Sequence, residues 1–175
     1  TTTGAKQQRA LGFHPGDLVA AKDGRHVWVA GCRGLCSDGA LHAVDPSDPG
    51  HATQLVLPTV PGEVAISPDG ARVYVTNGLA ASLAVADTAA GSIVTNVKVG
   101  AEPLGVATSP DGKRVYVTNF QGGTMSVIDA QTDEVIVTLN VGATPRAIAV
   151  TPDGKHAYLT HSTSRVSVVD LAAHE

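Results

Sequence analysis

The chain has 175 residues and a net charge of −4, and its 12 Lys and Arg residues are scattered along the chain without a cluster. Because nucleic-acid binding needs clustered basic residues, this distribution argues against a nucleic-acid partner. No stretch approaches the roughly 20 apolar residues of a membrane-spanning helix, so we expect no membrane insertion. The hydrophobic fraction of 43% is enough for a core of ordinary size, and we expect residues 1–175 to form a single domain.

One short pattern occurs four times along the chain. It is complete at 67–76 (SPDGARVYVT), 109–118 (SPDGKRVYVT) and 151–160 (TPDGKHAYLT), and shorter at 22–29 (KDGRHVWV). Its Asp stands at positions 23, 69, 111 and 153, so the spacings are 46, 42 and 42 residues. A four-stranded propeller blade takes roughly 40–45 residues. The repeat therefore predicts an all-β fold, a β-propeller of four-stranded antiparallel blades, with about four blades in this chain.

Within each repeat, strand signals alternate with turn signals. In the third repeat a strand ends at Thr108, and the turn Ser109–Gly112 follows with the Pro, Asp and Gly that favour a tight turn. Further strands are predicted at 115–118, 125–129 and 135–139. The corresponding blades lie at about 11–56, 57–98, 99–140 and 141–175.

The two ends of the chain complement each other. The last repeat ends after its third strand, whereas residues 4–10 align with the fourth strand of other repeats. We expect residues 4–10 to complete the last blade as its outer strand, because pairing the two ends removes an open strand edge. The four blades would then close on themselves, or they would form part of a larger propeller of about seven. The chain begins without a signal peptide, as a processed or truncated product would.

A single aromatic residue occupies one position in every repeat, five residues after the Asp: Trp28, Tyr74, Tyr116 and Tyr158. Its neighbours are mostly Val, and they point to the opposite face of the strand. A sheet that is apolar on both faces is expected to be covered on both faces by other sheets. We predict that the four rings pack between blades rather than against a ligand.

The two cysteines, Cys32 and Cys36, lie between the second and third strands of the first repeat, where this repeat has about four extra residues. The interpretation that we favour is a local disulfide, which would place the protein outside a reducing cytosol. Free thiols and metal ligation are the alternatives. The spacing differs from C-x-x-C and no second Cys/His pair stands at zinc-finger distance.

Two sets of loops open on the same mouth of a propeller channel: those from fourth to first strand, and those from second to third strand. In this chain they are polar and differ between blades, as a binding surface requires. The candidate binding residues are Arg33, Glu63, Asn77, Glu102, Asn119, Phe120, Gln121, Arg146 and His161, and His14, Asp17 and Arg165 lie in the same loops.

The tetrapeptides Tyr74–Asn77 and Tyr116–Asn119 are both YVTN. The chain resembles the YVTN family of β-propeller repeats over nearly its whole length, although the last blade has YLTH and the first WVAG. This resemblance implies an extracellular or cell-surface propeller, most often of seven blades. Similar propellers include surface-layer proteins, lactonase-like enzymes, and quinoprotein-like or haem-containing oxidoreductases.

By the same resemblance to lactonase-like propellers, Glu63 or Glu102 together with Asn77 and Asn119 would supply oxygen ligands to a divalent cation. A structural role for the two Asn residues, capping a turn, is the simpler interpretation. We therefore expect no metal and no cofactor.

Motifs of common catalytic chemistry are absent from the sequence: C-x-x-C-H, H-E-x-x-H, G-x-S-x-G and the P-loop. We assign no catalytic residue. The sequence favours a non-catalytic binding module that recognises a protein or glycan partner through the channel-mouth loops. The alternatives are a lactonase-like or other hydrolytic enzyme with a cation in the channel, and a structural repeat that assembles with itself or with further blades.

Overall fold

The computed structural model describes residues 11, 13–33, 38–45, 47–48 and 53–172. These residues form antiparallel sheets in which the strands follow one another in chain order. Three sheets have four strands and the last has three, so the predicted all-β propeller fold is confirmed. Within the described ranges, no helix has the length and apolar character that would let it cross a membrane.

Each sheet is one blade. Blade 1 comprises β1 (His14–Ala20), β2 (Val27–Arg33), β3 (Asp38–Val44) and β4 (Thr53–Leu57). Blade 2 comprises β5 (Pro61–Ile66), β6 (Arg72–Asn77), β7 (Ser82–Asp87) and β8 (Ser92–Lys98). Blade 3 comprises β9 (Pro103–Thr108), β10 (Arg114–Asn119), β11 (Thr124–Asp129) and β12 (Glu134–Asn140). Blade 4 comprises β13 (Pro145–Val150), β14 (His156–His161) and β15 (Val166–Asp170).

The repeated turn between the first and second strands forms by local hydrogen bonds. In blade 2, Asp69 accepts the Ala71 N–H at 2.9 Å and the Ser67 hydroxyl at 2.5 Å. The pKa of Asp69 is lowered, first by the Ser67 hydroxyl and then by the Ala71 N–H. Gly70 has φ = 79°, a left-handed conformation that glycine adopts without strain. The turn residues recognised in the sequence are therefore the ones that make the turn.

Blades stack so that the aromatic face of one covers the Val face of the next. Trp28 packs in a cluster with Val73 and Val75 of blade 2. Tyr74 packs in the same way with residues of blade 3, and Tyr116 with residues of blade 4. The rings of Trp28, Tyr74 and Tyr116 are at most 5% exposed, which confirms the predicted packing between blades. Tyr158 differs, because it is 47% exposed.

A threonine hydroxyl links consecutive blades on the channel side. Thr76 accepts the Glu63 N–H of its own blade at 3.0 Å and donates to the Leu104 carbonyl of blade 3 at 2.7 Å. Thr118 repeats both bonds, accepting the Gly105 N–H at 2.9 Å and donating to the Arg146 carbonyl. Each hydroxyl therefore fixes its own bulged inner strand and the inner strand of the following blade. We call this arrangement the threonine link.

The first strands of successive blades contact one another in the order β1, β5, β9, β13 and form the inner wall. No comparable contact joins β13 back to β1 among the described strands. The total number of blades remains a prediction. The outer strand expected from residues 4–10 lies outside the described residues.

The extra residues of the first repeat lengthen a hairpin rather than a loop. Strands β2 and β3 extend to the pair Arg33 and Asp38, two residues beyond the pair Gly31 and Ala40. The connection 34–37 has four residues, as do 78–81 and 120–123 in the next blades. Buried Cys32 lies on this extension. Cys36 lies outside the described residues, so the disulfide stays a prediction.

Candidate functional site

We call upper the face that carries the loops from fourth to first strand and from second to third strand. Backbone bonds hold these loops together: the Phe120 N–H donates to the Glu102 carbonyl at 2.8 Å, and the Ser162 N–H donates to the Thr144 carbonyl at 3.2 Å. Glu102 has φ = 51° and Thr144 has φ = 54°. Both are non-glycine residues in the left-handed region, which costs conformational energy and is common at binding sites. In blades 3 and 4 the loop that leads into the first strand is thus tied to the loop between the second and third strands.

Two of the predicted binding residues, Phe120 and Arg146, meet at the inner edge of this face, and a third, Glu63, lies within range of the Arg146 charge. The Arg146 guanidinium carbon lies 5.9 Å from the centre of the Phe120 ring, within cation–π range. Arg146 also stabilises the charged form of Glu63, which stands on the inner strand β5. We call Glu63, Phe120 and Arg146 the channel-mouth patch. They come from blades 2, 3 and 4, so the patch exists only when the blades stack.

Acidic side chains on two inner strands bind the backbone of the following blade. Asp17 accepts the Val64 N–H at 2.8 Å, and Glu63 accepts the N–H of Val106. Partial burial raises the pKa of Glu63 above its usual value of 4.5. The Val106 N–H and Arg146 oppose that rise, while the Asp17 charge adds to it. Glu63 is therefore both a support between blades and a titratable group at the channel mouth.

The raised pKa of Glu63 predicts a pH dependence of stability. A carboxyl whose pKa is higher in the folded protein holds its proton more tightly there, so the free energy of unfolding falls as the pH rises above 4.5. We expect Glu63→Gln to remove this slope, because the amide oxygen still accepts the Val106 N–H without a charge. Urea unfolding at several pH values between about 4 and about 7 measures how the free energy of unfolding changes with pH. The control is Glu134→Gln on exposed β12; equal slopes in both variants would contradict the prediction.

The two Asn residues of the YVTN segments do not face a partner. Asn77 and Asn119 are both 0% exposed, although the loop position predicted accessible side chains. The Asn119 amide donates to Thr124 Oγ1 and Ser126 Oγ, both at 3.0 Å. A side chain in this environment supports the loop above it. This burial does not fit a role as partner contacts. The buried Asn77 Oδ1 and Asn119 Oδ1 accept no hydrogen bond among the described residues, so the role as cation ligands stays a prediction.

His161 takes over the same supporting role in blade 4. Its Nδ1 donates to the Ala143 carbonyl at 2.8 Å, and its Nε2 forms a hydrogen bond with Ser167 Oγ at 2.8 Å. Ser167 corresponds to Ser126, the partner of Asn119 in blade 3. The ring is half-buried, and both of its nitrogens are engaged within the blade. The difference between YVTN and YLTH is therefore a change of supporting residue.

The remaining candidates are placed on the upper face outside the channel-mouth patch. Gln121 and Arg33 are exposed, and Glu102 is half-buried with its carbonyl bound to Phe120. His14 and Arg165 are also exposed.

Sequence reasoning overlooked His42. It is 2% exposed on β3, and its ring stacks on Phe13 with the ring centres 3.8 Å apart. Burial and then the Arg33 charge lower the pKa of His42, so the neutral ring is favoured. The sequence did contain a signal for this burial, because His42 lies between Leu41 and Ala43 in an apolar strand.

The described cavities lie on the opposite, lower face, where the first-to-second and third-to-fourth strand connections meet. The largest is about 670 Å³ and lies between blades 1 and 2; two others are about 310 and 240 Å³. Between blades 2 and 3, Arg72 fills the corresponding space and binds Asp133 at 2.7 Å. Around the 670 Å³ cavity, His26 takes the repeat position of Arg72 and Gly91 takes that of Asp133, so this cavity is wider. Across the described ranges, no three His, Cys, Asp or Glu side chains are grouped for a metal ion.

Three solved structures are similar to the chain. A Kuenenia stuttgartiensis hydrazine synthase is 26% identical with a TM-score of 0.82, covering 99% of this chain and 50% of that one. A proposed 6-phosphogluconolactonase from Bacteroides uniformis ATCC 8492 is 18% identical with a TM-score of 0.72, covering 90% and 50%. A functionally unknown protein from Desulfotomaculum acetoxidans DSM 771 is 16% identical with a TM-score of 0.71, covering 89% and 55%. The chain thus spans about half the length of each.

Among curated proteins no sequence matches. The family model described as Cytochrome D1 heme domain matches residues 52–175, which comprise blades 2 to 4 and the end of blade 1. That family has the same β-propeller fold. Because the match covers well over half of the chain, this protein belongs to the Cytochrome D1 heme domain family.

Proposed function

We propose that the chain is a non-catalytic binding module of an extracellular or cell-surface propeller, of the YVTN type, and that it recognises a protein or glycan through the channel-mouth patch. The observation that supports this proposal most directly is the contact of Phe120 of blade 3 with Arg146 of blade 4, with Glu63 of blade 2 within range of the Arg146 charge. An aromatic ring, a guanidinium and a carboxylate offer apolar contact, bidentate hydrogen bonding and charge within one patch.

The chemistry of the patch suits recognition. Arginine and aromatic residues are enriched where binding energy concentrates at interfaces. The Arg146 guanidinium is positioned by Phe120 and lies 3.5 Å from Ser162 Oγ, while the rest of the side chain is exposed. A partner carboxylate or sugar hydroxyl could replace solvent at this guanidinium without breaking a bond between blades.

A binding experiment tests the proposal with matched variants. Wild-type protein and the double variant Phe120→Ala/Arg146→Ala are applied to a glycan array and to immobilised proteins from the culture medium of the source cells. We expect the double variant to lose at least about tenfold in affinity for any partner of the wild type, because truncating interface anchors costs about 1–2 kcal/mol or more.

The control is Lys113→Ala/Ile136→Ala, which also removes one cationic and one apolar side chain. Lys113 lies at a lower-face turn and Ile136 is 48% exposed on the outer strand β12. The control should bind like the wild type. Equal binding by the wild type and the upper-face variant would refute the use of this patch.

The hydrolytic alternative has one observation in its favour. Asp17 and Glu63 place carboxylates on adjacent inner strands, and the pKa of Glu63 is raised, as in some general bases. Both carboxylates also bind backbone N–H groups of the next blade, which occupies part of their acceptor capacity. Calorimetric titration of wild type and Glu63→Gln with calcium, magnesium, manganese and zinc salts tests this alternative. A cation that binds wild type and not Glu63→Gln would favour it over the binding module.

The family name implies a haem, and the described residues do not fit one. Within the matched part of the chain that the structure describes, the histidines are His156 and His161. Both ring nitrogens of His161 are bound within blade 4, and His156 begins β14 beside the lower-face turn. None of the three described cavities lies at the channel mouth. We assign no haem-linked chemistry to these blades.

A further inference from the structure

The lower-face cavity between blades 1 and 2 has the size of a small-molecule site. Its volume is about 670 Å³, and small-molecule sites usually take roughly 300–1,000 Å³. Blade 1 contributes the turn around Asp23 and the buried ring of Trp28, and blade 2 contributes Asp69 and the connection 88–91. Because the blades repeat, this cavity can be compared residue by residue with the same space at the next interface.

Between blades 2 and 3 the equivalent space holds a guanidinium. Arg72 Nη1 donates to the Ala130 carbonyl at 3.0 Å and to Asp133 Oδ1 at 2.7 Å. Tyr74 forms a further hydrogen bond with Arg72. A backbone carbonyl, a carboxylate and an aromatic residue thus surround a planar cation, and here the cation belongs to the protein.

Between blades 1 and 2 both members of that ion pair are replaced by smaller residues. His26 takes the repeat position of Arg72, and its ring binds the Asp23 carboxylate of its own turn. Gly91 takes the repeat position of Asp133 with the same backbone conformation, since φ is 58° at both residues. The cavity is therefore the space that an arginine and an aspartate occupy one blade later.

The carbonyl acceptor of the guanidinium site is kept in the cavity. Thr88 takes the repeat position of Ala130 and lines the cavity. The Thr88 N–H donates to the Ala71 carbonyl at 3.0 Å, as the Ala130 N–H donates to the Lys113 carbonyl at 2.9 Å. Because the same backbone bond fixes both peptide units, the Thr88 carbonyl is directed into the cavity as that of Ala130 is directed at Arg72.

The charged groups around the cavity favour a cation. Asp23 and Asp69 both line it. The pKa of Asp23 is lowered, first by the hydrogen bond with the His26 side chain, and that of Asp69 is lowered, first by the Ser67 hydroxyl. Both carboxylates are therefore ionised at neutral pH. Lys22 is the single Lys or Arg among the described residues that line the cavity.

We propose that this cavity binds a small molecule with a guanidinium group, held by the Thr88 carbonyl, the Asp23 carboxylate and the ring of Trp28. Trp28 stands at the repeat position of Tyr74, and a guanidinium packs favourably on an aromatic ring. The ligand supplies the cation that Arg72 supplies at the next interface. The proposal does not depend on the function of the upper face, because the cavity lies on the opposite face.

Calorimetric titration of the natural chain with butylguanidinium and with butylurea tests the proposal. The two probes have the same shape, but butylurea is neutral and carries an oxygen in place of one nitrogen. We expect butylguanidinium to bind at least about tenfold more tightly, because hydrogen bonds between charged groups are about twice as strong as neutral ones. A blocked tripeptide with a central arginine distinguishes a free small molecule from an arginine of another protein, and we expect it to bind more weakly than butylguanidinium.

Gly91→Asp restores the missing carboxylate and should tighten butylguanidinium binding by about tenfold or more. The substitution is compatible with the fold, because the new Cβ would lie 3.9 Å from Thr53 Cγ2, an ordinary contact, and Asp133 already has this φ. The control is Thr132→Asp, which adds a carboxylate at an exposed position of the corresponding connection in blade 3. It should leave the affinity unchanged.

The double variant His26→Arg/Gly91→Asp rebuilds the ion pair of Arg72 with Asp133. We expect it to lose butylguanidinium binding, because its own guanidinium fills the cavity, and to have a higher urea midpoint than the natural chain. The urea midpoint shows that loss of binding is not loss of folding. If the double variant fails to fold, the gain of affinity in Gly91→Asp decides the question.

Four results would overturn the proposal. Three of them concern the group that binds: no heat of binding at about 10 mM butylguanidinium, equal affinity for butylurea, or unchanged binding by the folded double variant. The fourth is tighter binding of the arginine tripeptide than of butylguanidinium, since the occupant would then be a side chain of another protein.

Discussion

Tyr116→Ala is expected to lower the free energy of unfolding by about 3–5 kcal/mol, the usual cost of deleting a large buried aromatic side chain. Tyr116 is 5% exposed and packs with Met125 and Val127 of its own blade and with Leu159 of blade 4. Its removal leaves a cavity between two sheets that cannot collapse without shifting both inner strands. Urea unfolding, with the slope of the transition checked for constancy, measures the loss.

Tyr158→Ala is the matched control, because the same residue stands at the same repeat position. Tyr158 is 47% exposed, so its truncation in this chain removes about half as much buried surface as that of Tyr116 and should cost about half as much. Equal losses would mean that Tyr158 is buried in solution, and would contradict its 47% exposure in the structure.

This pair also shows what the sequence can and cannot predict about the fold. The turn at Ser67–Gly70 and the aromatic row follow from local residues, and both were predicted because the repeat carries them. The exposure of Tyr158 could not be predicted in that way. Two strands with the same alternation of residues differ in burial when only one of them has a neighbouring sheet, and the sequence of a strand does not show whether a sheet lies against it.

The candidate site, like the fold, could be predicted from the sequence in part. The rule that two sets of loops share one mouth correctly placed Phe120 and Arg146 on one face. The same rule failed for Asn119, because a residue at a strand end can turn beneath the loop instead of away from it. The sequence analysis also overlooked the Thr residues of the YVT segments. Threonine favours β-strands, so its presence in an apolar strand needs no further explanation. The bond that its hydroxyl donates to the next blade forms only when two blades are adjacent.

The threonine link leads to the second large effect. Thr118→Val keeps the shape of the side chain but leaves the Gly105 N–H and the Arg146 carbonyl without their partner. A buried group that loses its hydrogen bond costs about 1–3 kcal/mol, so we expect the free energy of unfolding to fall by at least that amount. Urea unfolding measures it, together with hydrogen exchange at the Gly105 amide.

Thr160→Val is the control for this prediction in the natural chain. Thr160 is exposed, and among the described residues its hydroxyl bonds within its own blade alone, to the Ala147 N–H at 3.2 Å, so its loss should be smaller. The difference between the two variants then estimates the contribution of the bond between blades. If it is zero, the blades are held together by apolar packing alone. If it is large, the threonines in this position of blades 2 and 3 set the spacing of the inner strands, and with it the placing of Glu63 and Arg146 at the channel mouth.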